Sequence, residues 1–271
     1  MIKVKITNKR LWGNFIKVVS AITSVLSLIL AFIDIEQNCR KILLFCLVLL
    51  LCVIFVSMLI YANKKKRKQF KINGTNINIF YGDIFKQSGI KIIAFNEFFD
   101  TKVDNKIIST KSLNGIYITQ HSAGSEVIDA TIDSETRLKK SIAQENVIRQ
   151  YGGKTTQYKL GAICPFGDYY LLAFSHFDDD NRAYISFEDY ISCLMNMWNE
   201  IDKYYNGELL SITLLGSGIT RVNSNKIAPQ ELLQYILFSF KSSMVKFHSS
   251  LNIVLDERIK DEINLYDIWE Y

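Results

Sequence analysis

The sequence predicts an α/β domain carried on a two-helix transmembrane hairpin, and three observations lead there. Residues 42–62 form an uncharged, almost wholly apolar run, closed by Lys64, Lys65, Lys66, Arg67 and Lys68. A second apolar run, residues 11–33, precedes it. From Gln69 onward, short β-rich runs alternate with long amphipathic ones, the pattern of an α/β fold.

Each apolar run is long enough to cross a bilayer core of about 30 Å as a helix. In the first, Lys17 lies within two turns of the N-terminal end, so its stem can stay in hydrocarbon while the ammonium reaches the interface. Trp12 suits an interface anchor. Lys3, Lys5, Lys9 and Arg10 flank the pair on one outer side and the 64–68 cluster on the other, whereas the connecting loop, residues 34–41, carries two acids and two bases. The positive-inside rule then gives a multi-pass protein of the cell membrane with both termini cytoplasmic. A cleaved signal peptide is the alternative for the first run, but no small-x-small cleavage site stands out and a second span follows at once. Ser20, Thr23, Ser24 and Ser27 recur at helical spacing, so one face of the first span is small and hydroxylic. Such a face serves packing within the hairpin or between copies, or lines a polar pore assembled from several copies.

The net charge of +5 is unevenly divided: residues 1–68 hold 12 Lys and Arg against 2 acids, which leaves 20 against 25 in residues 69–271. The basic excess sits beside the membrane, where anionic headgroups attract it. The remainder is mildly acidic and has no basic stripe, which argues against nucleic acid as a partner. Cys39, Cys46, Cys52, Cys164 and Cys193 contain no CxxC pair and suggest no disulfide framework, so a reducing compartment fits and zinc does not. The chain thus reads as an anchor, residues 1–68, and a ligand-binding domain, residues 69–271.

In the second part, strands are expected at 77–81, 91–95, 169–177, 209–215 and 251–255, with 116–119 a weaker candidate and 156–164 contributing another. Phe187, Ile191, Leu194, Trp198, Ile201 and Tyr205 make a helical stripe; Ser186 and Asp189 resemble a capping box, and Gly207 ends the segment. Leu232, Ile236, Phe240, Met244 and Phe247 make a second stripe, with Pro229 at a plausible first position. A third helix is expected over 134–151, stopping at Gly152 and Gly153, and a short terminal one over 264–269.

Three loops close behind strands concentrate glycine, hydroxyl and amide groups. Tyr81-Gly82-Asp83-Ile84-Phe85 puts a carboxylate at a strand's C-terminal end, where α/β sheets bind ligands. Asn96-Glu97-Phe98-Phe99-Asp100-Thr101 leads on to Ser112-Leu113-Asn114-Gly115. In Leu214-Leu215-Gly216-Ser217-Gly218-Ile219-Thr220-Arg221 an apolar strand breaks into Gly-x-Gly, which can turn successive backbone N–H groups toward an anion or simply make a tight turn.

Together these loops resemble those of a macro domain. Asn96-Glu97-Phe98-Phe99-Asp100-Thr101, Ser112-Leu113-Asn114-Gly115 and Leu172-Ala173-Phe174-Ser175-His176-Phe177-Asp178 resemble more closely the divergent macro domain of Thoeris anti-phage effectors, a branch with two N-terminal spans. The resemblance covers essentially the whole chain. It implies a macro-like three-layer α/β/α sandwich with a mixed sheet, no cofactor, and a non-enzymatic role. A partner TIR-domain enzyme would make an ADP-ribose-type messenger, histidine-ADP-ribose in this branch. The effector would bind it, form a homo-oligomer, and damage the membrane or arrest growth. By the resemblance, Asp83 accepts from the adenine amino group with Ile84 beside it. Asn96, Ser112, Asn114 and Gly115 face the distal ribose, and Gly216, Ser217, Gly218, Ile219 and Thr220 cradle the diphosphate.

Hydrolytic macro domains carry an Asn-x-x-Asn-like segment and a glycine run, both missing here, which favours sensing over hydrolysis. Asn114 stands where relatives would have His. A membrane-tethered ADP-ribosyl hydrolase is the rival, and an adaptor without a small ligand the third reading. Cys164 with His176 could form a thiol–base pair, although a core thiol is the simpler reading. His176 with Asp178, Asp179 and Asp180 could hold a divalent ion or form a solvated turn. His121 falls in a loop near the site.

Overall fold

The structure is a computed structural model that describes residues 3–33, 36–150, 152–178, 180–218, 220–222 and 227–268. Its contacts divide the chain into two units, Met1–Lys66 with Ile263–Ile268, and Arg67–Glu262.

In the first unit, α1 (Lys9–Leu30) begins where the Asn8 side chain accepts from the Leu11 N–H at 2.9 Å, the N-cap bond that satisfies an otherwise orphaned donor. It is followed by α2 (Gln37–Lys64). Both helices are long and apolar enough to cross a membrane. Along most of their length they expose apolar side chains, Leu28 at 66% and Phe45 at 69% among them, a surface that suits lipid and would be costly in water. Burial is confined to one end, where Leu11 of α1 and Ala62 of α2 join Val4 and Tyr266. On the hydroxylic face Ser20, Ser24 and Ser27 are exposed, whereas Thr23 is half-buried.

Asn63 holds the N-terminal coil to the end of α2, its Oδ1 accepting from the N–H groups of Lys3 (2.7 Å) and Val4 (3.0 Å). The segment Ile263–Ile268 closes the same end. Asn8 Nδ2 donates to Asp267 at 2.6 Å, Arg10 Nη1 to the Ile268 carbonyl at 3.0 Å, and Asn14 Nδ2 to the Tyr266 hydroxyl at 2.9 Å. The helix expected over 264–269 is not formed by its described residues. Asn264 accepts from the Tyr266 N–H at 3.0 Å and donates to Asp267 at 2.6 Å, local side-chain bonds that compete with helical ones.

The second unit begins with β1 (Arg67–Ile72), β2 (Thr75–Tyr81) and β3 (Ile90–Asn96). Then come α3 (Leu113–Ile116), continued by one π-helical turn at Tyr117–His121, and α4 (Ser125–Ser134) and α5 (Thr136–Lys139). The strands β4 (Ile142–Gln144) and β5 (Gln157–Tyr158) form a separate ribbon. They precede β6 (Ile163–Phe166), β7 (Tyr169–Phe177), β8 (Ala183–Ile185) and α6 (Phe187–Tyr204). The unit finishes with β9 (Leu210–Thr213), β10 (Arg221–Val222), α7 (Pro229–Ser243) and β11 (Leu251–Leu255).

The main sheet runs β1-β2-β11-β9-β3-β7-β8-β10, with β6 also paired to β7. Its five consecutive members from β2 to β7 are parallel, whereas β1 pairs antiparallel with β2, β6 and β8 pair antiparallel with β7, and β10 pairs parallel with β8. Strands alternate their side chains between faces, and β7 shows both. Phe174 meets Tyr190 of α6, while Leu171 and Ala173 join the core with Tyr117, Ile128 and Leu138 of the other helices. Helices therefore cover both faces, the expected three-layer sandwich with a mixed sheet. Trp198 of α6 and Phe240 of α7, 5.0 Å apart, pack the first layer.

Three expectations need correction. Residues 116–119 are helical, because Ser112 caps the segment by accepting from the Gly115 N–H at 3.2 Å. The helix expected over 134–151 shrinks to α5; Asn146 turns into left-handed backbone (φ 57°) and β4 is drawn into the ribbon with β5. The strand expected over 156–164 splits at Gly161 (φ 89°), where an added Cβ would stand 2.9 Å from the Cys193 carbonyl oxygen.

Candidate ligand-binding edge

Parallel pairing puts the C-terminal ends of β2, β11, β9, β3 and β7 along one edge of the sheet. Three glycine- and amide-rich loops, after β2, β9 and β3, thereby become neighbours.

After β2, Asp83 is exposed. Its Oδ1 accepts from the Phe85 N–H at 2.9 Å, capping a short turn of 3₁₀ helix over Ile84–Lys86 that packs against β9. Ile84 is buried beneath it. The Phe85 ring stacks on the imidazole of His121, with centroids 4.0 Å apart and planes 8° from parallel. His121 ends the π-helical turn, whose widened register is a feature often found at functional sites, and the imidazole is exposed. Ser112 and Gly115, at the other end of that helical segment, are buried, and α3 packs against β3. An added Cβ at Gly115 would collide with the Ser109 carbonyl oxygen. Asn114 is half-buried.

The loop after β3 is held from inside. Asn96 Oδ1 accepts from the N–H groups of Phe98 and Asp100, both at 3.1 Å, and its Nδ2 donates to Asp100 Oδ2 at 2.8 Å. Its amide is thus occupied in shaping the loop. Arg149 reaches in from the segment between β4 and β5. Nη1 lies 2.7 Å from Asp100 Oδ2, Nη2 donates to Asn181 Oδ1 at 2.9 Å, and the guanidinium rests 4.2 Å from the Phe98 ring centroid. The side chains of Arg149 and Asp100 are only 8% and 1% exposed.

Beside it, the buried Glu97 carboxylate accepts from Gln157 Nε2 at 2.7 Å and faces His176 Nδ1 at 2.6 Å, while His176 Nε2 lies 3.5 Å from Asp189 Oδ2. The hydrogen bond to Glu97 raises the His176 pKa above its ordinary value; burial opposes this, and the charges of Glu97 and Asp189 reinforce it.

After β9, Gly216 adopts φ 83°, left-handed backbone that suits glycine. Ser217 Oγ donates to the Leu214 carbonyl at 2.6 Å, closing the turn. Gly218 is exposed with open space where a Cβ would be, and Thr220 is half-buried. Ile219 lies outside the described residues.

Sequence reasoning put Glu97 and Phe85 in these loops and His121 near them, but gave Glu97 no role and did not foresee the Phe85–His121 stack. It missed Arg149 altogether, and nothing in the spacing marks that residue. Cys164 is fully buried, and burial pushes its thiol up to about 12, the opposite of a nucleophile's environment. Asp178 Oδ1 accepts from the Asp180 and Arg182 N–H groups at 3.1 and 2.8 Å, forming a turn.

A family model described as Thoeris protein ThsA, Macro domain, matches residues 77–256, so the second unit carries a macro domain. The curated Thoeris protein ThsA of Bacillus amyloliquefaciens (strain Y2) is 37% identical over 268 residues, covering 97% of this chain and 89% of that protein. This chain belongs to the Thoeris protein ThsA family. Among solved structures it is similar to the Oceanobacillus iheyensis macrodomain with ADP (12% identity, TM-score 0.45, 74% of this chain and 92% of that one). It is also similar to the same macrodomain with MES bound (13% identity, TM-score 0.44, 74% and 93%).

Proposed function

We propose that this chain is a membrane-anchored Thoeris effector whose macro domain binds an ADP-ribose-derived messenger without hydrolysing it. The messenger is histidine-ADP-ribose, supplied by a partner TIR-domain enzyme, and binding drives self-assembly of the chain and damage to the membrane. The two apolar helices span the cell membrane with both termini in the cytoplasm, and the unit Arg67–Glu262 forms the receptor domain.

One observation carries this reading: loops suited to a base, a diphosphate and a sugar follow one another along a single sheet edge. The exposed Asp83 carboxylate accepts from the adenine amino group, beside Ile84 and the stacked rings of Phe85 and His121. The loop over 216–220 cradles the diphosphate, its turn closed by Ser217, whose N–H and hydroxyl both donate to the Leu214 carbonyl, at 3.2 and 2.6 Å. Ser112, Asn114 and Gly115 border the distal ribose, with Asn96 acting through the loop it shapes.

The rival hydrolase needs a group free to activate water. Asn96 is consumed within its loop, and the two His176 nitrogens face carboxylates, which supports a sensor. The test is a calorimetric titration of the full chain in lipid nanodiscs with ADP-ribose and with histidine-ADP-ribose, followed by chromatography of the mixture. Tight binding of the conjugate, recovered intact, supports the reading. Catalytic release of free ADP-ribose would establish the hydrolase, and no binding of either compound would refute the receptor assignment.

A further inference from the structure

Seven residues, 256–262, with a 3₁₀ turn over Glu257–Ile259, join the last strand of the macro domain to the segment that closes the base of the two helices. The ligand-edge loop after β2 is tied to the start of that path: Tyr81 pairs with Leu255 in parallel register, and the Gly82 N–H donates to the Leu255 carbonyl at 2.9 Å. Farther along, the Tyr81 hydroxyl lies 3.5 Å from the Lys260 carbonyl. Burial, then Glu257 and Asp261, push the Tyr81 phenol up to about 12, consistent with this packing. Three residues beyond Lys260, the chain becomes the clamp Ile263–Ile268.

That clamp is well built. The Tyr266 ring is buried with Val4, Leu11 and Ala62, and the Arg10 guanidinium lies 5.6 Å from its centroid. Asn8, Arg10 and Asn14, on and just before the first turns of α1, each bond to it. The chain crosses between units twice, at Lys66–Arg67 and at Glu262–Ile263. The first crossing continues α2 almost directly into β1; only the second delivers the macro domain's chain to α1.

We propose that residues 256–268 are a transmission element, carrying occupancy of the Tyr81–Phe85 loop to the base of α1. This rests on the ligand reading above, with the bound state as the one that repositions the segment. Linkage supplies the criterion: a coupled ligand and clamp must each shift the other's equilibrium by the same factor.

The experiment is amide hydrogen exchange on the full chain in lipid nanodiscs, without and with ADP-ribose at saturation fixed by calorimetry. We expect exchange in residues 3–14 and 263–268 to change by about 5-fold or more. In Tyr266→Phe, which loses the Asn14 bond but keeps the ring, that response shrinks. In Tyr266→Ala it disappears while ADP-ribose still binds, with an affinity shifted by the lost coupling factor. If the wild-type chain binds ADP-ribose and exchange at the base is unchanged, the transmission role is refuted and the ligand reading stands. If it binds neither ADP-ribose nor histidine-ADP-ribose, both fall.

Discussion

His176 Nδ1 lies 2.6 Å from Glu97 Oε2, joining the end of β7 to the residue that follows β3. With Asp189 on the other side of the ring, the imidazole lies between two carboxylates. The His176 pKa is raised in the folded chain, so the stability it contributes is fully present below the unfolded value of about 6.5. It is lost as pH rises through the higher folded value. Thermal denaturation should therefore show a melting temperature that declines through that window. His176→Gln should flatten the decline; an equal slope in both proteins would contradict the assignment.

Arg149 and Asp100 form a buried pair 49 residues apart in sequence. Removing the cation leaves the buried carboxylate with only the Asn96 amide and the Lys154 N–H as donors, and breaking a buried pair in this way typically costs about 3–5 kcal/mol. Arg149→Ala should destabilise the chain by that order in denaturant titrations and loosen the loop after β3. A loss below about 1 kcal/mol would mean that water reaches Asp100 freely.

Asp83 is exposed and caps its own turn. Asparagine caps nearly as well, so Asp83→Asn should leave the melting temperature in place. Losing a charged acceptor for the adenine amino group should weaken ADP-ribose binding about 10-fold. Unchanged affinity in calorimetry would discredit the base contact.

Ser20, Ser24 and Ser27 stand exposed on α1. If assembled copies bring these faces together, replacing all three with Leu should abolish toxicity in cells while messenger binding stays intact. Retained toxicity would exclude this face from the assembly.

Much of the fold was legible because the parallel strands are short apolar runs that end in glycine, aspartate or asparagine. That composition places loops after β2, β3 and β9 without knowledge of the sheet order. The helical stripes of α6 and α7 were legible for the same reason: Trp198 and Phe240 recur in step with buried neighbours. The segment 134–151 misled because its fate depends on a left-handed Asn146 and on pairing with residues 157–158. Neither leaves a periodic trace. Gln69 was read as the start of the domain's patterned region, yet it lies inside β1, whose many charges mask it. The ring stack of Phe85 on His121 and the bond between Glu97 and His176 join residues far apart in sequence, so only the folded chain brings them together.

The most direct measurement is an experimental structure of the full chain in nanodiscs with ADP-ribose bound. The account predicts ligand density along the sheet edge, with the adenine at Asp83 and the diphosphate over Gly216 to Thr220. Density elsewhere, or an empty edge at saturating ligand, would contradict it.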